Sequence, residues 1–195
     1  MSVFRRRLMA MQKKDSIDWD YEWSYLSGEM PNDERFIETA SGDISITENG
    51  MKLGIGANLN LNDIARVICF IKFQTSFDST NRDRGLMFVF TNSENTFEKK
   101  FILSGSANNY RIATHAEVPT SYIGSYEDNV DIDLLFYMDL DNPQNIYVEY
   151  QNDKKYLPIN SMMWFEKPSK IQLNQYGPVE GGYVLLKELK FKIID

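Results

Sequence analysis

A single cysteine, Cys69, and a single histidine, His115, in 195 residues remove several chemistries at the outset. One thiol cannot form an internal disulfide, and a four-ligand Cys/His zinc site needs more than these two residues. No apolar run approaches the roughly 18 residues of a transmembrane helix, so membrane insertion is not expected. The opening fourteen residues have a basic start, but only Leu8 to Met11 stand where the apolar stretch of a secretory signal would be, and export by that route is not expected. No Asn-x-Ser/Thr acceptor occurs. With a net charge of −7, the chain lacks the basic face that duplex DNA requires.

What is present is aromatic. Phe, Trp and Tyr make up 13% of residues and charged side chains 25%, a globular composition rich in rigid rings. A chain of this length can bury roughly 70% of the surface its unfolded form exposes, so it needs neither a disulfide nor a structural metal for ordinary stability. No cofactor is expected. The charge is uneven: Arg5, Arg6, Arg7, Lys13 and Lys14 give residues 1–14 a charge of +5 and leave −12 for the remainder. The organisation read from this is a basic N-terminal arm, 1–14, followed by one domain, 15–195.

From Phe36 onward the hydrophobic period is two, and Gly, Asn, Asp and Pro punctuate short extended segments. The clearest is Val130 to Leu140, where Val130, Ile132, Leu134, Phe136 and Met138 share one face while Asp131, Asp133, Tyr137 and Asp139 share the other. Further strands are expected in 43–47, 51–55, 65–73, 86–90, 99–103, 110–115, 145–150, 170–173 and 183–194. Glu48-Asn49-Gly50 and Asp141-Asn142-Pro143 supply hairpin turns. Without helical crossovers, parallel pairing has nothing to connect it, and an all-β, antiparallel two-sheet sandwich follows.

Catalytic patterns are thin. Asp131-x-Asp133 begins the strand pattern of sandwich-fold glucanases, but the third acid position holds Leu135, leaving no proton donor for the leaving group. No Gly-x-Ser-x-Gly elbow accompanies His115, which reads as a half-buried strand residue. Cys69, between Ile68 and Phe70, reads as a small core residue. Gly54-Ile-Gly56 lacks the third glycine of a dinucleotide loop, where Leu59 stands. Asp139-Leu-Asp141-Asn142 offers oxygens but lacks the glycine and terminal glutamate of a calcium loop, so a hairpin turn is the reading. No metal site is expected.

The aromatics suggest binding. Trp19, Trp23, Tyr25 and Trp164 fall in segments that read as irregular, while Tyr137 and Tyr147 share the less apolar face of one hairpin. Aromatic faces beside Asp133, Glu149 and Gln151 suit a sugar, because pyranose C–H faces stack on rings and hydroxyls need acceptors. The bland reading is that these rings close the ends of the sandwich. The candidate glycan or partner site is Tyr137, Tyr147, Asp133, Glu149 and Trp164.

The run Val130-Asp-Ile-Asp-Leu-Leu-Phe-Tyr-Met-Asp-Leu-Asp-Asn142, then Ile146-Tyr-Val-Glu-Tyr150, then Gly182-Tyr-Val-Leu-Leu-Lys-Glu-Leu-Lys-Phe-Lys-Ile193 resembles the strand, hairpin and closing strand of concanavalin A-like (laminin G-like) jelly rolls. The opening, Phe4-Arg-Arg-Arg-Leu-Met-Ala-Met11 followed by Ile17-Asp-Trp-Asp-Tyr21, resembles the start of structural proteins of phages and prophages of gut bacteria. The resemblances imply a jelly-roll fold and a habit of binding glycans or proteins, and they carry no catalytic residue over. The first expectation is a non-catalytic virion or host-attachment protein, made in the host cytoplasm. It would assemble through Phe4, Arg5, Arg6, Arg7 and Leu8 and present the sandwich to a glycan or a virion protein partner. Symmetric fibres and spikes would make it a homo-oligomer. A free carbohydrate-binding domain and a divergent glycoside hydrolase are the alternatives.

Overall fold

The alternation of apolar and polar residues becomes strands paired in two antiparallel sheets. A computed structural model describes residues 17–24, 36–38, 45–53, 57–60, 65–77, 84–92, 94, 96, 98–105, 111–115, 121–125, 127, 129–156, 169–176 and 182–194. In chain order the strands are β1 (Tyr21–Ser24), β2 (Phe36–Glu38), β3 (Ser45–Thr47), β4 (Gly50–Leu53), β5 (Ala57–Asn60), β6 (Arg66–Phe77), β7 (Arg84–Thr91) and β8 (Glu98–Gly105). They continue with β9 (Arg111–His115), β10 (Ser121–Ser125), β11 (Ile132–Asp139), β12 (Tyr147–Tyr150), β13 (Asp153–Tyr156), β14 (Lys170–Tyr176) and β15 (Gly182–Ile194). One sheet runs β13-β12-β11-β6-β15-β4-β3, with β1 also on β15, and the other runs β10-β9-β8-β7-β14-β5-β2.

Every segment expected to be extended contains a strand. Val130 to Leu140 needs correction at its start, since β11 begins at Ile132 and Val130 is half-buried in a bend. Asn129 just before it is left-handed, φ 59°, and donates its backbone N–H to Thr75 O at 2.9 Å, so the chain is still turning at Val130. The other inward residues of β11 behave as expected. Ile132, Leu134, Phe136 and Met138 are buried with Leu86, Phe88 and Phe90 of β7 and Ile171 and Leu173 of β14. Phe136 joins the layers, its ring centroid 4.9 Å from Phe88 and 6.4 Å from Phe90. Full burial of such a side chain is worth about 1.5–3 kcal/mol before the cost of ordering it.

The reading of Trp19 and Trp23 as irregular is half right. Trp23 lies in β1, opposite Leu189, and packs with Tyr21 against the core. Trp19 precedes the strand and lies with its ring 6.3 Å from Phe70. Phe70 points away from the inter-sheet core, since its neighbours Cys69 and Ile71 belong to that core, yet it is only 3% exposed. Asp20 pins this segment to β15, accepting from Ile193 N at 2.7 Å and Lys192 Nζ at 2.9 Å while donating its own N–H to Phe191 O at 3.0 Å.

The two sheets also meet at one edge. The Tyr150 ring of β12 lies against Gly124 of β10, where an added Cβ would stand 2.6 Å from ring carbon Cδ1. Its hydroxyl donates to Ser125 O at 2.8 Å and accepts from Gln151 Nε2 at 2.9 Å. Glycine at 124 is therefore what lets the ring clasp the facing sheet.

Candidate functional site

The site is built by a two-residue hairpin turn. Gln151 and Asn152 both have positive φ, 51° and 65°, the backbone of a type I′ connection, which matches the twist of the strands it joins. That turn fixes β13 against β12 so that Tyr156 stands opposite Tyr147, and the pairing of β12 with β11 sets Tyr147 opposite Tyr137. Three tyrosines thereby form a row across adjacent strands on the outer face of the eight-stranded sheet. Tyr137 and Tyr147 stack with centroids 5.0 Å apart and planes 17° from parallel, and Tyr156 meets Tyr147 edge-on at 5.7 Å.

Lys154 completes the group. Its ammonium is 3.5 Å from the Tyr147 ring centroid and 4.8 Å from that of Tyr156. A hydrogen bond with the Tyr156 hydroxyl raises the ammonium's pKa above the usual lysine value; slight burial works the other way, and the neighbouring phenols and Glu149 add to the rise. Glu149 is the direct cross-strand partner of Lys154 on one side and of Leu135 on the other. Tyr156 is 56% exposed, so at this edge an apolar ring faces solvent beside a cation and a carboxylate.

Of the expected site residues, Tyr137, Tyr147 and Glu149 come together, whereas Asp133 stands apart. It is opposite Lys72 of β6, which lies opposite Glu188 of β15. Trp164, Tyr25, Gly54, Gly56 and the arm residues Phe4, Arg5, Arg6, Arg7 and Leu8 lie outside the described residues. Lys154 and Tyr156 were missed, because the segment Asp153-Lys-Lys-Tyr156 shows no apolar alternation. The signal that could have found them is Tyr150-Gln-Asn-Asp153, a two-residue turn with Asn in a left-handed position.

The acids of the glucanase-like pattern belong to an ionic ladder. Asp131 accepts from Lys187 Nζ at 2.6 Å and lies 3.8 Å from Lys72 Nζ, which is 3.4 Å from Glu188. Burial pulls the Lys72 ammonium down, but Asp133, Glu188 and Asp131 together raise it above its ordinary value. Asp139, expected on the polar face, is instead buried, and both its oxygens serve the turn. Oδ1 accepts from Asn142 N at 2.8 Å, Asp141 N at 3.2 Å and Asn142 Nδ2 at 3.4 Å, and Oδ2 from Asn145 Nδ2 at 3.3 Å. The hairpin reading of this stretch holds. Cys69 is a core residue, and burial pushes its thiol well above the usual range, away from the reactive thiolate. Among the described residues no group of three or more His, Cys, Asp or Glu side chains could hold a metal ion, and no helix is long and apolar enough to cross a membrane.

No protein-family model and no curated protein matches the sequence. Solved structures do match by shape. The carbohydrate recognition domain of Emp46p, in its metal-free form, superposes with a TM-score of 0.60 at 11% identity over 90% of this chain and 98% of that one. A sialidase gives 0.59 at 9% identity over 82% of this chain but 17% of its own, and Trypanosoma rangeli sialidase gives 0.57 at 13% identity over 99% and 36%. The chain thus spans a minor part of the sialidases and nearly the whole of the recognition domain. At these identities the likeness concerns fold, and the fold is an antiparallel two-sheet jelly-roll sandwich, concanavalin A-like.

Proposed function

We propose that this protein is a non-catalytic glycan-binding module whose binding face is the edge formed by Tyr137, Tyr147 and Tyr156 with Lys154 and Glu149. The observation that carries the reading is the exposed Tyr156 ring at the end of an ordered aromatic row. Stacking along the row fixes the rings before a ligand arrives, which reduces the ordering cost of binding. Glu149 supplies an acceptor for sugar hydroxyls. Its fold likeness to a carbohydrate recognition domain supports the same reading.

A hydrolase reading has less to stand on. Asp131 is committed to Lys187 and Lys72, and Leu135 occupies the third acid position. The expected result is that immobilised glycans retain the purified protein and that Tyr156→Ala weakens retention about tenfold, the equivalent of about 1.4 kcal/mol, with the melting temperature nearly unchanged. No β-glucan should be cleaved. Hydrolysis that disappears in Asp131→Asn would overturn the non-catalytic reading.

A virion or host-attachment setting belongs to the same proposal, with the arm from Phe4 to Leu8 as the part that holds a partner. Basic side chains there can neutralise an acidic groove while Phe4 and Leu8 bury apolar surface. Deleting residues 1–14 should abolish assembly with that partner and leave the sandwich's melting temperature nearly unchanged. Unimpaired assembly of the truncated protein would exclude the arm as the anchor.

A further inference from the structure

The lysines of the eight-stranded sheet are not alike. Lys72, Lys155, Lys187, Lys190 and Lys192 each meet a carboxylate: Glu188 at 3.4 Å, Asp153 at 3.4 Å, Asp131 at 2.6 Å, Glu22 at 2.6 Å and Asp20 at 2.9 Å respectively. Among the described lysine side chains of this sheet, Lys154 is the exception. Its ammonium rests over the rings of Tyr147 and Tyr156, and among the described residues no carboxylate lies within ion-pair distance of it. Of the nearby acids, Asp153 pairs with Lys155, and Glu149, directly across the strand pair from Lys154, acts on it electrostatically without forming an ion pair. Lys154 and the Tyr156 ring it bonds are both exposed, so a ligand can reach the pair from solvent.

We infer that this face takes pyranosides bearing a carboxylate, uronic or sialic sugars, with the apolar ring face on Tyr156 and the carboxylate on the Lys154 ammonium. The inference rests on the glycan-binding reading and narrows it to one class of ligand. Three features converge on it. A cation that holds no salt bridge can pair with an anion that arrives from outside, whereas a lysine already bound to a carboxylate must first release it. The cation is held in place by two rings, so little side-chain freedom is lost when the ligand binds. It is charged at neutral and mildly alkaline pH, as any lysine is, and the Tyr156 hydrogen bond holds its pKa above the ordinary value.

The test uses the full chain and two matched pairs of probes in isothermal titration: tri-galacturonate against its methyl ester, and 3′-sialyllactose against lactose. The first pair reports uronic sugars and the second sialic sugars. At low salt at least one acid is expected to bind about tenfold more tightly than its neutral counterpart. That preference should collapse at about 1 M salt, where the screening length is about 3 Å. Lys154→Gln should bring the acid-to-neutral ratio close to one, and Lys154→Arg, which keeps the charge, should preserve it. Circular dichroism and melting temperature establish that each variant is folded. Equal affinity for acid and neutral probes, or a preference that survives Lys154→Gln, overturns the acidic-sugar inference while glycan binding stands. Failure to bind either acid also overturns it, and the broader reading then falls only if neutral glycans fail as well.

Discussion

Phe136→Ala should lower the stability of the fold by about 3–5 kcal/mol, the cost of removing a large aromatic side chain from a core that cannot collapse around the gap. Phe136 is 1% exposed and reaches across the sandwich to Phe88 and Phe90, so the cavity would open between the sheets. Neither strand can move inward to fill it, because β11 is held on one side by β6 and on the other by β12. Domains of this kind are stable by only about 5–15 kcal/mol, and the loss is a large share of that. Urea denaturation should show the midpoint falling with the slope unchanged. Phe136→Leu, which keeps most of the volume, should cost less than half as much. A loss under about 1 kcal/mol for the alanine variant would show that Phe136 does not join the layers.

The second large effect is expected at Asp139. Asp139→Ala should cost about 3 kcal/mol, because removal of the carboxylate strands two backbone N–H groups and two side-chain amides that now donate to it in a part-buried turn. In a chain of this size that corresponds to a drop of about 6–12 °C in melting temperature. Asp139→Asn, which retains one acceptor oxygen, should fall between wild type and alanine. Calcium should leave the wild-type melting temperature unchanged, since both carboxylate oxygens are already committed to the turn. A clear rise with calcium would mean that Asp139 releases those donors for the ion.

The contrast between β11 and β13 explains how much of this could be read from the sequence. From Ile132 to Met138, β11 is fully buried at every second residue and only partly buried between them, so its face assignment follows from the period alone. β13 is an edge strand, exposed at three of its four positions, and it carries no such period. It is defined by the turn before it. The aromatic row was therefore half legible: Tyr137 and Tyr147 could be put on one face by their hairpin, but Tyr156 and Lys154 join them only through register. The outward direction of Asp131 and Asp133 was legible too. Their lysine partners were not, because Lys72 and Lys187 arrive from distant strands, Lys187 being 56 positions from Asp131. Phe70 lies in the run Ile68-Cys-Phe-Ile71, apolar on both faces, and such a run cannot announce that Trp19 covers one of them.

The position of β15 has a consequence for how the protein is made. It is the last strand in chain order among the described residues, yet it lies inside its sheet, between β6 and β4. A growing polypeptide must therefore expose β6 and β4 with unpaired edges until β15 leaves the ribosome. Lys72 and Glu188, which meet across that pairing, are 116 positions apart. At ordinary elongation rates β6 waits on the order of ten seconds for its partner, long enough for another nascent chain or a chaperone to reach the open edge first.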